Sequence, residues 1–271
     1  MTVRSVDVDG VRISYSDVGE GPVRVALHGF TGDRSTMEPL ADAVGGRRLV
    51  IDLVGHGDSD SPEVGDAYTM EAMVRQVLAV VDTATNGPVD LIGYSMGGRT
   101  ALSFTAAHPA RVRAMSLIGA TPGLAAEIDR KKRIIADTKL AHRLLTEGLE
   151  TFVDHWMGLP MWDTLWAAVG EDGKAASREQ RLRGSASGLA ASLIGCGTGA
   201  MPALHDRLPT LNVRTQLVVG ELDEKFRTIA AEMANALPNA KVAVAGNAGH
   251  AVHLERPDDA ARAISRFLEQ G

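Results

Sequence analysis

A serine between two glycines is the strongest chemical signal in this sequence. Gly93, Ser95 and Gly97 form a Gly-x-Ser-x-Gly motif that follows the apolar run 89–92 and precedes a helix-forming stretch at 99–107. A strand, a sharp turn and a helix in this order form a nucleophile elbow, in which the serine takes a strained backbone conformation. Glycines are needed on either side because a Cβ there would collide with the neighbouring strand or helix. The dipole of the following helix favours negative charge at the serine, so the motif predicts a catalytic hydroxyl.

Such a hydroxyl needs a histidine that takes its proton and a carboxylate that holds the histidine in one tautomer. In a chain with this elbow, the carboxylate and then the histidine are expected downstream, each just past a strand. Asp223 follows a strand predicted at 213–219, and His250 follows one predicted at 240–244. We therefore predict that Ser95, Asp223 and His250 form a catalytic triad.

Two neighbouring residues remain alternatives for these roles. His253 is three residues past His250 and is its one serious competitor among the eight histidines, and Glu221 competes with Asp223. The non-catalytic alternative is that Asp223 belongs to an ordinary acidic loop and that His250 caps a helix. It would require the positions of Ser95, Asp223 and His250 after three strands to coincide by chance. The histidines in helical contexts are expected at the surface or in a lid: His108, His142, His155 and His205.

Two backbone amides are expected to complete the site. His28 and Gly29 follow a strand predicted at 23–27. In this architecture that loop supplies one N–H of an oxyanion hole, and the residue after the nucleophile supplies the other. We assign these donors to Phe30 and Met96, with a plain turn at 28–29 as the alternative.

The elements that must position these groups alternate along the first half of the chain. Strand and helix in alternation imply right-handed crossovers and a mostly parallel sheet. A glycine-rich segment at 52–59 is predicted to be structural, with Asp52 and His56 hydrogen-bonding their own loop. Short apolar runs predict strands at 12–15, 23–27, 49–53, 89–92 and 115–118, and helical spacing predicts helices at 68–82 and 99–107.

This alternation stops near residue 122. From 122 to 208 the sequence has helical stretches and no convincing strand. We predict an α/β core formed by residues 1–121 and 209–271, with an all-helical lid at 122–208 above the strand ends, where open α/β sheets bind ligands. The helices expected in the lid and after it are 125–145, 149–156, 227–236 and 257–268.

Composition excludes several classes of function. The 271 residues carry a net charge of −6, which argues against nucleic acid or an anionic membrane as a partner. Cys196 is the single cysteine, and no apolar stretch resembles a signal peptide or a membrane span, so a cytoplasmic protein is expected. No spacing typical of metal ligands and no nucleotide-binding motif is present, so neither metal nor cofactor is expected. The expected partner is a small anionic molecule, and the expected state is a monomer or a small homo-oligomer.

Over its full length the chain resembles the α/β-hydrolase superfamily. A narrower resemblance is to the 2-succinyl-6-hydroxy-2,4-cyclohexadiene-1-carboxylate synthases of menaquinone biosynthesis. Residues 200–204 depart from a Gln-Pro-aromatic stretch that related sequences often carry. The superfamily resemblance rests on 28–30, 52–59, 93–97, 220–223 and 248–250; the narrower one rests on 27–33, 93–99, 121–124, 130–133, 154–156, Arg183, 188–193, 197–199 and 220–226.

The narrower resemblance implies a lyase that removes pyruvate from a cyclohexene precursor without a covalent acyl-enzyme. The substrate of that family carries several carboxylates, which guanidinium groups can bind bidentately. By position, Arg99, Arg133 and Arg183 would be these groups, with Arg130 an alternative to Arg133 and Arg181 an alternative to Arg183. Tyr94, Trp156 and Thr31 would line the pocket. A serine hydrolase acting on an ester or C–C bond, or a receptor without turnover, are the alternative functions.

Overall fold

Eight strands and ten α-helices, with five short 3₁₀ turns, make up the regular structure of residues 2–63 and 65–270, the part of the chain that this computed structural model describes. The helices are α1 Glu38–Val44, α2 Met70–Ala84, α3 Met96–Ala107, α4 Glu127–Glu147, α5 Leu149–Met157, α6 Asp163–Leu182, α7 Ala186–Cys196, α8 Glu224–Ala236, α9 Val252–Glu255 and α10 Pro257–Glu269. The strands are β1 Thr2–Val8, β2 Val11–Val18, β3 Val23–Leu27, β4 Arg47–Ile51, β5 Val89–Tyr94, β6 Val112–Ile118, β7 Arg214–Gly220 and β8 Ala240–Ala245.

The strands form a single mixed sheet in the order β1-β2-β4-β3-β5-β6-β7-β8. β2 pairs antiparallel with β1 and β4, and every later pairing is parallel. Strands that are buried on both faces need apolar side chains in succession, and Leu91, Ile92, Leu117 and Ile118 are at most 1% exposed. The carboxyl ends of β5, β6 and β7 therefore meet at one edge of the sheet, as the predicted mostly parallel sheet requires.

Helices cover both faces of this sheet and create two apolar layers. On one face, α2, α3 and α8 contribute Val77, Leu102 and Met233 to a common core. On the other face, α1 and α10 contribute Leu40 and Ile264 to a second core. The fold is the α/β-hydrolase fold that the sequence predicts.

Helices α4–α7, here called the helical insert, lie between β6 and β7 and carry their own apolar cluster, which includes Leu144, Phe152 and Leu189. All four helices fall within 122–208, and the division into a core and a lid at those bounds stays a prediction. Helix α6 bends at Gly170, which has φ 68° and ψ −175°. A non-helical residue interrupts the backbone ladder at that point, so the two halves of α6 point in different directions.

Most predicted elements are present with ends shifted by one to three residues, and the differences are local. The hairpin β1–β2 was not predicted, although Asp9 and Gly10 between its strands have φ 55° and 80°, as a two-residue type I′ turn requires. Helix α1 and the separate helices α6 and α7 were also not predicted. His205 lies in a turn and not in a helix. None of the helices in the described part of the chain is both long and apolar enough to cross a membrane.

Candidate active site

Ser95 occupies the tight turn between β5 and α3. Its backbone has φ 48° and ψ −104°, a conformation that is rare for a residue with a side chain. The backbone crosses so closely here that a Cβ on Gly93 would lie 2.5 Å from the carbonyl oxygen of Gly97, and one on Gly97 would lie 2.2 Å from that of Leu27. The glycines of the motif are therefore required by the close packing of this turn, as expected from the sequence.

The three side chains predicted as a triad form one hydrogen-bonded chain. His250 Nδ1 lies 2.9 Å from Asp223 Oδ2, and His250 Nε2 lies 3.2 Å from Ser95 Oγ. The other carboxylate oxygen of Asp223 accepts the N–H of Phe226 at 3.2 Å and caps α8, which fixes the carboxylate. Asp223 therefore holds one nitrogen of the imidazole while the other faces the serine hydroxyl. This arrangement can move a proton off Ser95.

Neither of the two competing residues, His253 and Glu221, takes part in this hydrogen-bonded triad. His253 is 3% exposed and packs on Tyr94 with ring centroids 4.3 Å apart, and burial lowers its pKa to about 3. Its two ring nitrogens have no partner among the described residues. Glu221 instead accepts the backbone N–H of Asn247 at 3.0 Å.

The loop after β3 presents the first of the two expected amide donors. The N–H groups of Phe30 and Met96 donate to no acceptor in the described part of the chain, so both are free for a ligand. His28 braces this loop, since its Nε2 accepts the N–H of Leu53 at 3.0 Å and its Nδ1 donates to the carbonyl of Gly29 at 2.8 Å. Burial lowers the pKa of His28, which keeps the ring neutral and suited to this pair of bonds.

Thr31 continues this loop in a strained conformation. Its φ of 65° lies in the left-handed region that β-branched residues avoid, and its buried hydroxyl has no hydrogen-bond partner among the described residues. Gln180 of α6 donates from Nε2 to the carbonyl of Thr31 at 3.2 Å and to Asp33 Oδ2 at 3.1 Å. Burial acts to raise the pKa of Asp33, but hydrogen bonds from Ser35 and Gln180 outweigh it and hold the pKa below its usual value. The helical insert is thereby tied to the loop that carries the Phe30 amide.

A cavity of about 180 Å³ opens between the strand ends and the helical insert. The serine and the imidazole face it, while Asp223 lies behind the imidazole. Thr31, Arg183 and its alternative Arg181 are not among the residues that line it. Of the residues singled out in the sequence, those in the wall are Phe30, Tyr94, Ser95, Met96, Arg99, Arg133, Trp156 and His250.

Arg99 and Arg133 make one end of the cavity cationic. Arg99 is 8% exposed and donates to the carbonyl of Cys196 at 2.6 Å, and it forms no ion pair with a carboxylate in the described residues. Burial lowers its pKa, yet a guanidinium stays charged inside a protein. Arg133 Nε donates to Asp137 Oδ1 at 2.8 Å, and burial raises the pKa of that carboxyl. Of the two residues considered for this position, Arg133 lines the cavity, whereas Arg130 donates to the backbone carbonyls of Leu124 and Ala125, just before α4.

Residues 25–263 match the model of the alpha/beta hydrolase family. The chain belongs to the α/β-hydrolase family. Among curated proteins, a Bacillus subtilis protein to which 2-succinyl-6-hydroxy-2,4-cyclohexadiene-1-carboxylate synthase activity is provisionally ascribed is 39% identical over 98% of both chains. The synthase of that name from Salmonella schwarzengrund is 31% identical over 91% of this chain and 94% of its own.

Solved structures agree with this placement. MenH from S. aureus superimposes with a TM-score of 0.89 at 31% identity, covering 94% of this chain and 98% of its own. An enol-lactonase from Burkholderia xenovorans superimposes with a TM-score of 0.84 at 23% identity, over 98% of this chain and 100% of its own, and at that identity it shows the fold alone. The protein is thus an enzyme of the α/β-hydrolase family, and its sequence is similar to those of the 2-succinyl-6-hydroxy-2,4-cyclohexadiene-1-carboxylate synthases.

In this α/β-hydrolase, the two arginines considered near the end of α6 lie in different environments. The side chain of Arg183 is 63% exposed and reaches Asp33 Oδ2 at 3.5 Å, outside the cavity. Arg181 is buried, and its guanidinium lies 5.8 Å from the ring centroid of Trp162, a residue of the cavity wall. Two positions along a helix turn the side chain by about 200°, so only one of the pair can face inward. The structure thus does not bring Arg183 to the site, and Arg181, although it is not in the cavity wall, is the buried member that packs against Trp162.

Several donors around the candidate site lack a partner within the described residues. They are buried and come from both the core and the insert, and an anionic ligand or water would satisfy them. They are Arg181 Nε, the hydroxyls of Thr31 and Tyr94, and the indole N–H groups of Trp156 and Trp162.

The described residues contain no group of three or more His, Cys, Asp or Glu side chains that could hold a metal ion. Several side chains at the site were not singled out from the sequence, among them Trp162 in the cavity wall and the polar residues Asp137, Gln180 and Glu255. Only Asp137 had a local signal, since it lies four residues after Arg133 on a predicted helix, the spacing of an ion pair.

Proposed function

We propose that this α/β-hydrolase is a 2-succinyl-6-hydroxy-2,4-cyclohexadiene-1-carboxylate synthase, a carbon–oxygen lyase that eliminates pyruvate in menaquinone biosynthesis. The observation that carries the proposal is the hydrogen-bonded chain from Asp223 through His250 to Ser95, which faces a cavity with Arg99 and Arg133 in its wall. The names of the relatives that match nearly the whole chain support the choice of reaction.

In the proposed reaction, His250 takes the proton of Ser95, and Ser95 Oγ takes the acidic ring proton beside the succinyl carbonyl of the substrate. The electron pair left on carbon moves into that carbonyl, whose oxygen is stabilised by the N–H groups of Phe30 and Met96. The pair then returns to form the new ring double bond as the C–O bond breaks. The leaving enolpyruvate takes up the proton that His250 holds and becomes pyruvate, which returns the histidine to its neutral state. No covalent acyl-enzyme forms.

The cationic wall has a separate task in this proposal. The substrate family carries several carboxylates, and charge-assisted bonds from Arg99 and Arg133 would hold them so that the scissile C–O bond stays aligned. Holding reacting groups in such an alignment is worth several kcal/mol of the barrier. A cytoplasmic location and an anionic small-molecule partner are part of the same proposal.

The test is pyruvate release from the menaquinone precursor, followed through NADH consumption by lactate dehydrogenase. Replacing Ser95 with alanine should lower kcat by about 1,000-fold or more, because the residue that abstracts the proton is lost. Binding of the substrate should persist. Ser192 also lines the cavity but lies outside the elbow, so Ser192→Ala is the matched control and should keep most of the activity.

A serine hydrolase acting on an ester or C–C bond is the second candidate, because free amides beside an activated serine suit a tetrahedral acyl intermediate equally well. It predicts a burst of p-nitrophenol from an activated ester and no pyruvate from the precursor. That pair of results would replace the lyase proposal. Pyruvate release at an unchanged rate by Ser95→Ala would refute the role given to Ser95.

A further inference from the structure

One buried carboxylate accepts hydrogen bonds from the backbone on both sides of the triad histidine. Glu255 is the last residue of α9, and its Oε2 accepts the N–H of Gly249 at 2.6 Å while its Oε1 accepts the N–H of Ala251 at 3.0 Å. Both oxygens of one side chain are therefore used on the two residues that flank His250. These bonds set the position of the peptide from which the imidazole projects.

The environment of Glu255 excludes an ordinary structural ion pair. The residue is 6% exposed, and no Lys, Arg or His lies within salt-bridge distance of it in the described part of the chain. Burial of a carboxylate without a cation is unfavourable unless hydrogen bonds replace its hydration. Here the two N–H groups beside His250 supply those bonds.

Helix stabilisation does not account for Glu255 either. A negative charge in the last turn of a helix opposes the helix dipole, and α9 spans only four residues. A carboxylate is also the one side chain here that accepts two N–H donors at once, since an amide of the same shape would turn an NH₂ group toward one of them.

The loop that carries His250 is closely packed, so it has little room to take another position if the hydrogen bonds to Glu255 are lost. A Cβ on Gly249 would lie 2.1 Å from Thr164 Oγ1 of the helical insert and 3.4 Å from Glu255 Oε1. The backbone before His250 is thus confined between α6 on one side and Glu255 on the other.

We infer that Glu255 is a positioning residue that clamps the backbone on both sides of His250, so that Nδ1 stays at Asp223 and Nε2 stays at Ser95. The inference rests on the proposed roles of Ser95 and His250. Glu255 touches neither of the reacting atoms and acts only through the histidine.

The decisive variant is Glu255→Gln, which keeps the shape of the side chain but replaces one acceptor with a donor. We expect kcat to fall by about 10- to 100-fold with KM within about threefold of wild type, because a misplaced general base slows proton transfer without changing the substrate pocket. Glu269→Gln makes the same change at an exposed position of α10 and should leave kcat unchanged. Ile264→Val removes a methyl group from the core of α10 and controls for a general loss of stability.

A second measurement does not depend on the substrate. In protein labelled with ¹⁵N-histidine, the Nδ1 proton of His250, assigned with His250→Ala, should give a low-field resonance because Asp223 accepts it. We expect Glu255→Gln to shift or broaden this resonance, and Glu269→Gln and Ile264→Val to leave it in place. If Glu255→Gln does not fold, Glu255→Asp keeps the charge with a shorter reach and should show the same loss of kcat in a smaller degree.

The clamp is refuted if the Glu255 variants keep the kcat and the His250 resonance of Glu269→Gln. It is also refuted if Ile264→Val, at an equal loss of Tm, reproduces both changes. If the wild-type enzyme releases no pyruvate, the proposed function fails on its own, while the resonance of His250 still decides for or against the clamp.

Discussion

The single arginine side chains proposed to bind substrate differ in whether the protein supplies their counter-ion. Arg133 and Arg183 each have a carboxylate partner, whereas Arg99 and Arg181 have none in the part of the chain described. A buried guanidinium without a carboxylate is costly to the fold, and such groups concentrate where a ligand completes the pair. The two arginines without partners are therefore the ones that we expect an anionic substrate to neutralise.

This expectation separates Arg181 from Arg183. Arg181→Met should raise KM by about tenfold or more, which is the value of one charge-assisted hydrogen bond, and Arg183→Met should change KM by less than about threefold. Steady-state kinetics of pyruvate release measures both. A larger effect of Arg183→Met would mean that the exposed side chain moves into the cavity when substrate binds, as its position in the sequence first suggested.

At the scale of elements, the turn between β5 and α3 tolerates no added atom. Gly97→Ala should lower the free energy of unfolding by about 3 kcal/mol or more, because its Cβ would overlap the backbone of β3 and the turn would have to open. Urea unfolding followed by circular dichroism measures this change.

Gly158→Ala is the control for the turn variant. Gly158 has φ −84°, and the nearest atom to an added Cβ is 3.4 Å away, so we expect a change of less than about 1 kcal/mol. Equal stability of Gly97→Ala and Gly158→Ala would show that the turn can relax and that the elbow glycines are not required for packing.

Buried parallel strands and long amphipathic helices could be predicted from the sequence because their periodicity is strong. The runs around Leu91 and Leu117 are apolar throughout, as strands covered on both faces must be. β1 was missed because its side chains are mostly exposed and carry little apolar alternation, although the Asp9-Gly10 turn signal was present. Helix α1 was missed because seven residues contain too few turns to show a period.

Residues of the candidate site divide in the same way. Ser95, Asp223 and His250 could be predicted because each lies at a strand end that the chain order identifies. Gln180 and Glu255 could not, because the groups they bind lie on loops whose path depends on the complete fold. No sequence pattern records which backbone N–H a side chain will reach.

For the whole molecule, buried neutral histidines such as His56 and His253 link stability to pH. Burial lowers the pKa of His56 and of His253 from 6.5 to about 3. The unfolded chain therefore binds protons between pH 6.5 and about 3 that the folded chain does not, and stability falls as the pH falls through that window. Each histidine should remove about 2 kcal/mol of stability between pH 7.5 and pH 5.

Urea unfolding at both pH values checks this linkage. In His253→Asn, the difference in unfolding free energy between pH 7.5 and pH 5 should be smaller than in wild type by about 2 kcal/mol. His142 is exposed on α4, so His142→Asn should retain the wild-type difference. If His253→Asn shows the same difference in unfolding free energy between the two pH values as wild type, the buried ring of His253 takes up a proton without a loss of stability.

Helix α6 of the insert touches the two halves of the catalytic apparatus with its opposite ends. Thr164 in its first turn abuts Gly249 beside the histidine, and Gln180 in its last turn bonds to the carbonyl of Thr31 beside the amide donor. The distance between His250 and the loop that carries the Phe30 amide is therefore set in part by α6, a helix of the insert that also covers the substrate cavity. Replacing the insert with that of another family member would therefore change the reaction rate and the substrate selectivity together. New substrate specificities should evolve through paired changes in α6 and in the two loops that it contacts.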